Sequence, residues 1–270
     1  MFMKAKKSIK NQTRTMAAIG LTSLLVLGAS TAGADEADAK RLLKAMTDYV
    51  SAQKAISFDY DSTLDVVTPE NQVIGLANSG AVTLNRPDKI HASRSGGFAD
   101  IEMNFNGDTL TILGKNLNAY TQKKIPGTLD HLIDELKDTY NRPLPAADLL
   151  LANSYEALMQ GVVDIKDLGS GVIGGIECDS LAFRAEEVDW QIWIAQGDRP
   201  YPCRYSITSK LVANSPQYTV QVRNWKTGDD VAARDFNFKN TTDAKQVEME
   251  NLKGTGHLPE IFEIVKGESK

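Results

Sequence analysis

The chain is poor in the side chains from which metal centres and nucleophilic sites are built. Three histidines (His91, His131 and His257) and two cysteines (Cys178 and Cys203) are all that 270 residues supply. The histidines are far apart and show no pairing pattern, so a zinc shell of three or four protein ligands has no starting point. A G-x-S-x-G elbow is missing and neither cysteine has an evident base beside it, which leaves nucleophilic hydrolysis without a motif. Carboxylates are plentiful, but none stand out as an acid and base pair. No fixed-period repeat is present. Long apolar runs are scarce as well. The best of them, Met16 to Ala29, falls short of the roughly 20 residues that a spanning helix needs. No catalytic residue, metal or cofactor is therefore expected, nor is a membrane-spanning chain.

That apolar run has another reading. Lys4, Lys6, Lys7, Lys10 and Arg14 precede it and Ala32-Gly33-Ala34 follows it, the layout of a cleaved export signal over residues 1–34. No cysteine lies near the cut to carry a lipid, and no Arg-Arg pair is present to mark the twin-arginine route. The expected product is periplasmic, unlipidated and begins at Asp35. Removing the signal leaves 25 basic against 35 acidic side chains, a net charge of −10. Such a surface repels phosphate backbones, so nucleic acid is not an expected partner.

What the chain does contain is alternation. From Gly174 to Trp225 four segments carry large apolar residues on one side and polar ones on the other. They are built on Leu181 and Phe183; on Trp190, Ile192 and Ile194; on Tyr205 and Ile207; and on Tyr218, Val220 and Val222. A period of two marks an antiparallel sheet covered on one face. Residues 56–69 alternate likewise through Phe58, Tyr60 and Leu64. Residues 72–124 continue as strands broken at Asn85-Arg86-Pro87-Asp88, Gly96-Gly97, Asn106-Gly107-Asp108 and Gly114-Lys115-Asn116. Helical spacing appears in three places. Residues 35–55 repeat at 39, 42, 43, 46, 49 and 50; residues 128–140 place Leu129, Leu132, Ile133 and Leu136 on one stripe behind an N-cap at Thr128; residues 148–160 read as one or two short helices. Strands resume at Val162 and run to about Phe238. The polar tail, from Lys239 and above all 251–270, is expected to be loosely held.

Several tempting motifs have plainer readings. Gly169, Gly171 and Gly174 form G-x-G-x-x-G, but the following segment alternates instead of opening a helix, so hairpin glycines are favoured over a dinucleotide fingerprint. Asp59, Asp61 and Asp65 share a strand face; a solvated face is favoured over a cation site. His131 with Asp134 or Glu135 offers two ligands at most, and a charged helix surface is favoured. Tryptophans 190, 193 and 225 with tyrosines 201, 205 and 218 form either core or a binding platform. Cys178 and Cys203 are expected to be bonded in an oxidising compartment, adding about 3 kcal/mol on the chain-entropy model. In a plain meander they fall on second-neighbour strands, so the bond needs a bulge at Pro200 or Pro202 to close the gap.

The segments FDYDSTLDVVT, GAVTLNRPDKIHASRSGGFAD, RPLPAADLL, GVIGGIECDSLAFR and VDWQIWIAQGDRPYPCRY together resemble the DUF2092 family of exported bacterial proteins, over about residues 35–240. That family in turn resembles the LolA/LolB-like lipoprotein carriers. The resemblance implies an open, strongly curved antiparallel half-barrel with helices over its concave apolar face, and it brings no catalytic motif.

The expected architecture is mainly β (α+β): one half-barrel domain over 35–250, of about 10–11 strands. Its cavity candidates are Phe58, Tyr60, Met103, Phe105, Ile112, Phe183, Trp190, Ile192, Tyr205, Ile207, Val220 and Val222, which choose the same side of successive strands. Leu129, Leu132, Ile133 and Leu136 belong to a lid helix hinged at Pro126-Gly127 and Asn141-Arg142-Pro143. The expected function is non-catalytic binding of a hydrophobic small molecule, a lipid or a lipidated protein. The rivals are an adaptor whose core is filled by its own side chains, and a hydrolase using His131.

Overall fold

The computed structural model describes residues 32–252; the expected signal core and cleavage-site side chains lie outside what is described. Helix α1 (Ala32–Ala52) opens the described chain. Its Ala39, Leu43, Met46 and Val50 are all 0 % exposed, while Lys40–Glu36 and Lys44–Asp48 bridge its outer side. The helix ends three residues before the expected Ala55, because Ala55 pairs with Asn85 and starts the sheet.

Six strands follow as a meander: β1 (Ala55–Val67), β2 (Val73–Asn85), β3 (Lys89–Gly96), β4 (Asp100–Phe105), β5 (Thr109–Gly114) and β6 (Ala119–Lys124). After the helical insert come β7 (Asp164–Ile173), β8 (Ile176–Arg184), β9 (Val188–Ala195), β10 (Pro202–Ser209) and β11 (Gln217–Thr227), with a two-residue β12 (Lys245–Gln246). All belong to one open twelve-stranded sheet, ordered β12-β6-β5-β4-β3-β2-β1-β11-β10-β9-β8-β7. Two meanders are thus joined where the first strand pairs with the eleventh, from Ile56↔Thr227 to Leu64↔Tyr218. Every pairing is antiparallel except β12 with β6. This is the antiparallel sheet that the alternation implies, in the open half-barrel form that the family resemblance implies.

The order explains why helices cover one face. Strands β6 and β7 lie at opposite ends of the eleven long strands, so the chain between them must traverse the sheet. It does so through α2 (Leu129–Asp138), a 3-10 turn at Ala147–Leu150 and α3 (Ser154–Met159). Thr128 caps α2, its hydroxyl accepting from the His131 amide at 3.3 Å. Asp130 in the first turn and Lys137 in the last suit the helix dipole. Leu129, Leu132 and Leu136 turn inward, and His131 is exposed on the outside.

Three expectations change. The long strands end at Thr227, not near Phe238, because the chain then leaves mid-sheet to reach β6 at the edge, where it adds only the two-residue β12. It is far from loose on the way. Phe236 is buried, Asn106 Nδ2 donates to Asn237 Oδ1 at 2.8 Å, and Met249 and Leu252 enter the main core; residues 253–270 lie outside those described. The favoured hairpin reading of Gly169, Gly171 and Gly174 stands, since the segment folds as strand, turn and strand with no helix after it. Gly174 and Gly175, at φ 58° and 86°, make the two-residue β7–β8 hairpin turn, and Gly169 sits at a register shift.

The disulfide is the third correction. Cys178 and Cys203 are both free, buried thiols. A bulge does fall at Cys203, between Pro202 and Arg204, and the thiols interact with one another. They remain on second-neighbour strands β8 and β10, and Cys178 Sγ donates to Ile176 O at 3.4 Å. Burial pushes both thiols above their usual range, which lowers their thiolate character.

Candidate binding cavity

Register alone orders the concave face of the first meander into parallel rows. The lowest, Ile56–Leu84–Ile90–Phe105–Leu110, is buried throughout. The next, Phe58–Val82–Ala92–Met103–Ile112, is apolar too, but its side chains face open space. A third holds Tyr60, Gly80, Arg94 and Ile101, and a fourth Ser62, Asn78 and Gly96. Polarity therefore rises along the strands, row by row.

The space above these rows is a cavity of about 330 Å³. Its floor comes from β1–β5 and β11, and its roof from α2 and residues 141–150. Small residues keep it open. A Cβ on Gly80 would lie 2.6 Å from the Tyr60 hydroxyl and 2.1 Å from Ser93 O. The missing side chain lets the Tyr60 ring cross β2 and donate its hydroxyl to Ser93 O at 3.1 Å. In the next row a Cβ on Gly96 would meet Asn78 Oδ1 at 2.1 Å.

The polar end is a compact group. Tyr218, on β11, hydrogen-bonds Ser62, and burial pushes its phenol up to about 12. Burial also raises Tyr60 and lowers the Arg94 guanidinium, with Tyr60 and Tyr218 beside it. Asn78 Oδ1 is buried with no hydrogen-bond partner among the described residues. The charged residues among the described wall are Arg94 and Arg142, both cationic.

Hydrogen bonds hold the roof on the strand turns. Gly127 donates to Gly107 O at 3.0 Å and Leu129 to Pro87 O at 2.9 Å. Arg86 reaches Leu150 O at 2.8 Å, and Asp130 accepts from the Ala152 amide. The Pro126-Gly127 link expected to act as a hinge is thus tied to the sheet. At the other end Arg142 donates to Met249 O at 3.4 Å.

The family model described as "Predicted periplasmic protein (DUF2092)" matches residues 39–250. The chain belongs to this family. No curated protein matches it significantly. Among solved structures it is similar to the lipoprotein LppX of Mycobacterium tuberculosis, at 14 % identity and a TM-score of 0.47, over 75 % of this chain and 100 % of that one. LprF of Mycobacterium bovis gives 12 % identity and a TM-score of 0.45, over 74 % and 98 %. The Pseudomonas aeruginosa MucA/MucB complex gives 11 % and 0.39, over 75 % and 61 %.

Of the twelve side chains that alternation assigns to the cavity side, register puts all on the concave face, and the cavity divides them. Phe58, Tyr60, Met103, Ile112, Val220 and Val222 line it, together with Leu129, Leu132, Ile133 and Leu136 of α2. Six others do not. Phe105 is fully buried in the lowest row, of which only Leu84 and Ile90 line the cavity. Phe183, Trp190, Ile192, Tyr205 and Ile207 lie on β8–β10, in the half where α1 packs on β7 and β9. There Phe183 stacks on Trp190 at 3.8 Å, and Tyr205 meets Trp190 edge-on at 5.8 Å. The aromatic platform is core on this side; only Trp225, stacked between Phe58 and Tyr201, and Tyr218 reach the cavity.

Sequence reasoning missed Arg94, Asn78 and the roof at 141–150. A signal for Arg94 was available: counting by twos from Ile90 passes through Ala92 and reaches Arg94 on the apolar side. The acidic trio is engaged elsewhere. Asp61 pairs with Arg223 at 2.8 Å, Asp59 accepts from Asn224, and Asp65 accepts from the Gln217 amide. No cluster of three or more metal-binding side chains occurs among the described residues.

Proposed function

We propose that the protein is a non-catalytic periplasmic binder of an acyl or other lipid-like ligand, held in the cavity between β1–β5 and the α2 roof. We take it to be exported by a signal over residues 1–34 that is cleaved and leaves no lipid anchor, with one domain over 35–250 and a tail over 251–270. The observation that carries this reading is an apolar space between sheet and roof that the described side chains leave unfilled. Protein interiors are packed as densely as organic crystals, and an apolar void costs stability. A space of about 330 Å³ lies within the ~300–1,000 Å³ range of ligand pockets. The exposed His131 takes from the hydrolase reading the residue on which it rests.

Extraction and mass spectrometry of protein purified from its native compartment should find bound lipid. Met103→Asp, which puts a charge on the cavity floor, should abolish it while the folded circular dichroism signature persists. Lipid-free native protein that binds no fatty acid or phospholipid at micromolar concentration would turn the assignment to the adaptor reading.

A further inference from the structure

The cavity is not uniformly apolar, and the direction of its polarity narrows the ligand. Tyr60 and Arg94 share one cross-strand row, separated only by Gly80. Ser62 and Asn78 share the adjacent row, and Tyr218 leans on Ser62 from β11. On the other side of the Tyr60 row lie Phe58, Ala92, Met103 and Ile112, then the buried lowest row. A chain with more acidic than basic residues has thus placed arginines in its cavity wall. A guanidinium in a half-buried, low-dielectric wall attracts an anion far more strongly than one in water. Its planar fork also matches carboxylate and phosphate oxygens.

Building on the lipid-binding reading above, we infer that the ligand is a single-chain amphiphile with an anionic head group. The head is seated at Arg94 between Tyr60 and Tyr218, and the chain runs along the row of Phe58, Met103 and Ile112 beneath α2. The Tyr218 hydroxyl and the Asn78 amide supply further polar contacts around the head, while the Tyr60 hydroxyl stays on Ser93 O. The volume of about 330 Å³ lies at the small end of ligand pockets and suits one acyl chain better than two or three.

The test is calorimetry on purified, delipidated protein with three sixteen-carbon probes below their micellar concentrations: hexadecanoate, hexadecyl phosphate and 1-hexadecanol. One acid, or both, should bind on the order of tenfold or more tightly than the alcohol, and their ranking identifies the head as carboxylate or phosphate. In Arg94→Met this preference should vanish while the alcohol binds as before; Arg94→Lys should keep part of it. The wild-type ratio stands as a test by itself if Arg94→Met fails to fold. Equal binding of acids and alcohol by the wild type, or a preference that survives in Arg94→Met, overturns the inference and leaves lipid binding intact. If none of the three binds, both readings fall.

Discussion

The two halves of the concave face are built from the same alternating pattern, and the described residues fill only one of them. On β8–β10 the inward residues are large and include Phe183, Trp190, Ile192 and Tyr205. Above them α1 contributes Leu43, Met46 and Val50, all fully buried. On β1–β3 the inward rows contain Ala92, Gly80, Gly96 and Ser62, and the roof between α2 and the 3-10 turn is a proline-punctuated strap through Pro143 and Pro145. Volume balance separates them: one half pairs bulk with bulk, the other pairs small residues with a short helix. Alternation reports which way a side chain points, whereas emptiness depends on how much volume arrives from both layers.

The contrast breaks most visibly under truncation. Trp190→Ala should destabilise by about 3–5 kcal/mol, because a stacked and closely packed ring leaves a cavity behind. Met103→Ala, which enlarges a space already present, should cost less than about 2 kcal/mol. Chemical denaturation of both variants checks this; equal losses would mean that the two halves are packed alike.

Filling the void sharpens the comparison. Ala92→Leu adds bulk to the cavity floor and should change stability by no more than about 1 kcal/mol, where overpacking a full core costs about 1–3 kcal/mol. The same variant should weaken hexadecanoate binding more than tenfold by calorimetry.

The smallest effect is expected at the seam between roof and filled half. Burial raises the Asp148 carboxyl above its ordinary 3.8, opposed by the Leu149 amide, the Tyr205 hydroxyl and Lys137. The folded state therefore holds this proton more tightly than the unfolded state. Its contribution to stability is fully present below 3.8 and is lost as pH rises through the raised value. Asp148→Asn keeps an oxygen for the Leu149 amide, now 3.2 Å from Asp148 Oδ1, and removes the titration. Its Tm should rise near neutral pH, and its Tm–pH curve should flatten from neutrality down toward the ordinary carboxylate value. A curve parallel to wild type would place the pH dependence elsewhere.

Legibility followed the range of the interaction responsible. Helix α2 was readable to within a few residues, since its stripe, its Thr128 cap and its flanking prolines are all local. The strands of the second meander were equally plain through Tyr218 and Val220. Residues 231–238 were read as strand because their composition allows it, but the chain there is carried away to pair at β6. The cysteine pair failed for a related reason. A bulge at Cys203 was foreseeable from its prolines, whereas whether the thiols bond depends on ångström-scale placement across β9.

Within the candidate site, Phe58, Met103 and Ile112 were legible and Arg94 was overlooked, though it obeys the same period of two. By itself the sequence determined the element types, the family and the face to which each strand residue belongs. Each of these follows from local backbone geometry or from motifs written in order along the chain. The pairing of β1 with β11, the traverse of the insert from β6 to β7, and the division into a packed and a hollow half were decided only in three dimensions. The β1–β11 pairing joins strands more than a hundred residues apart, the traverse follows from where that pairing puts the two sheet ends, and no local period encodes either.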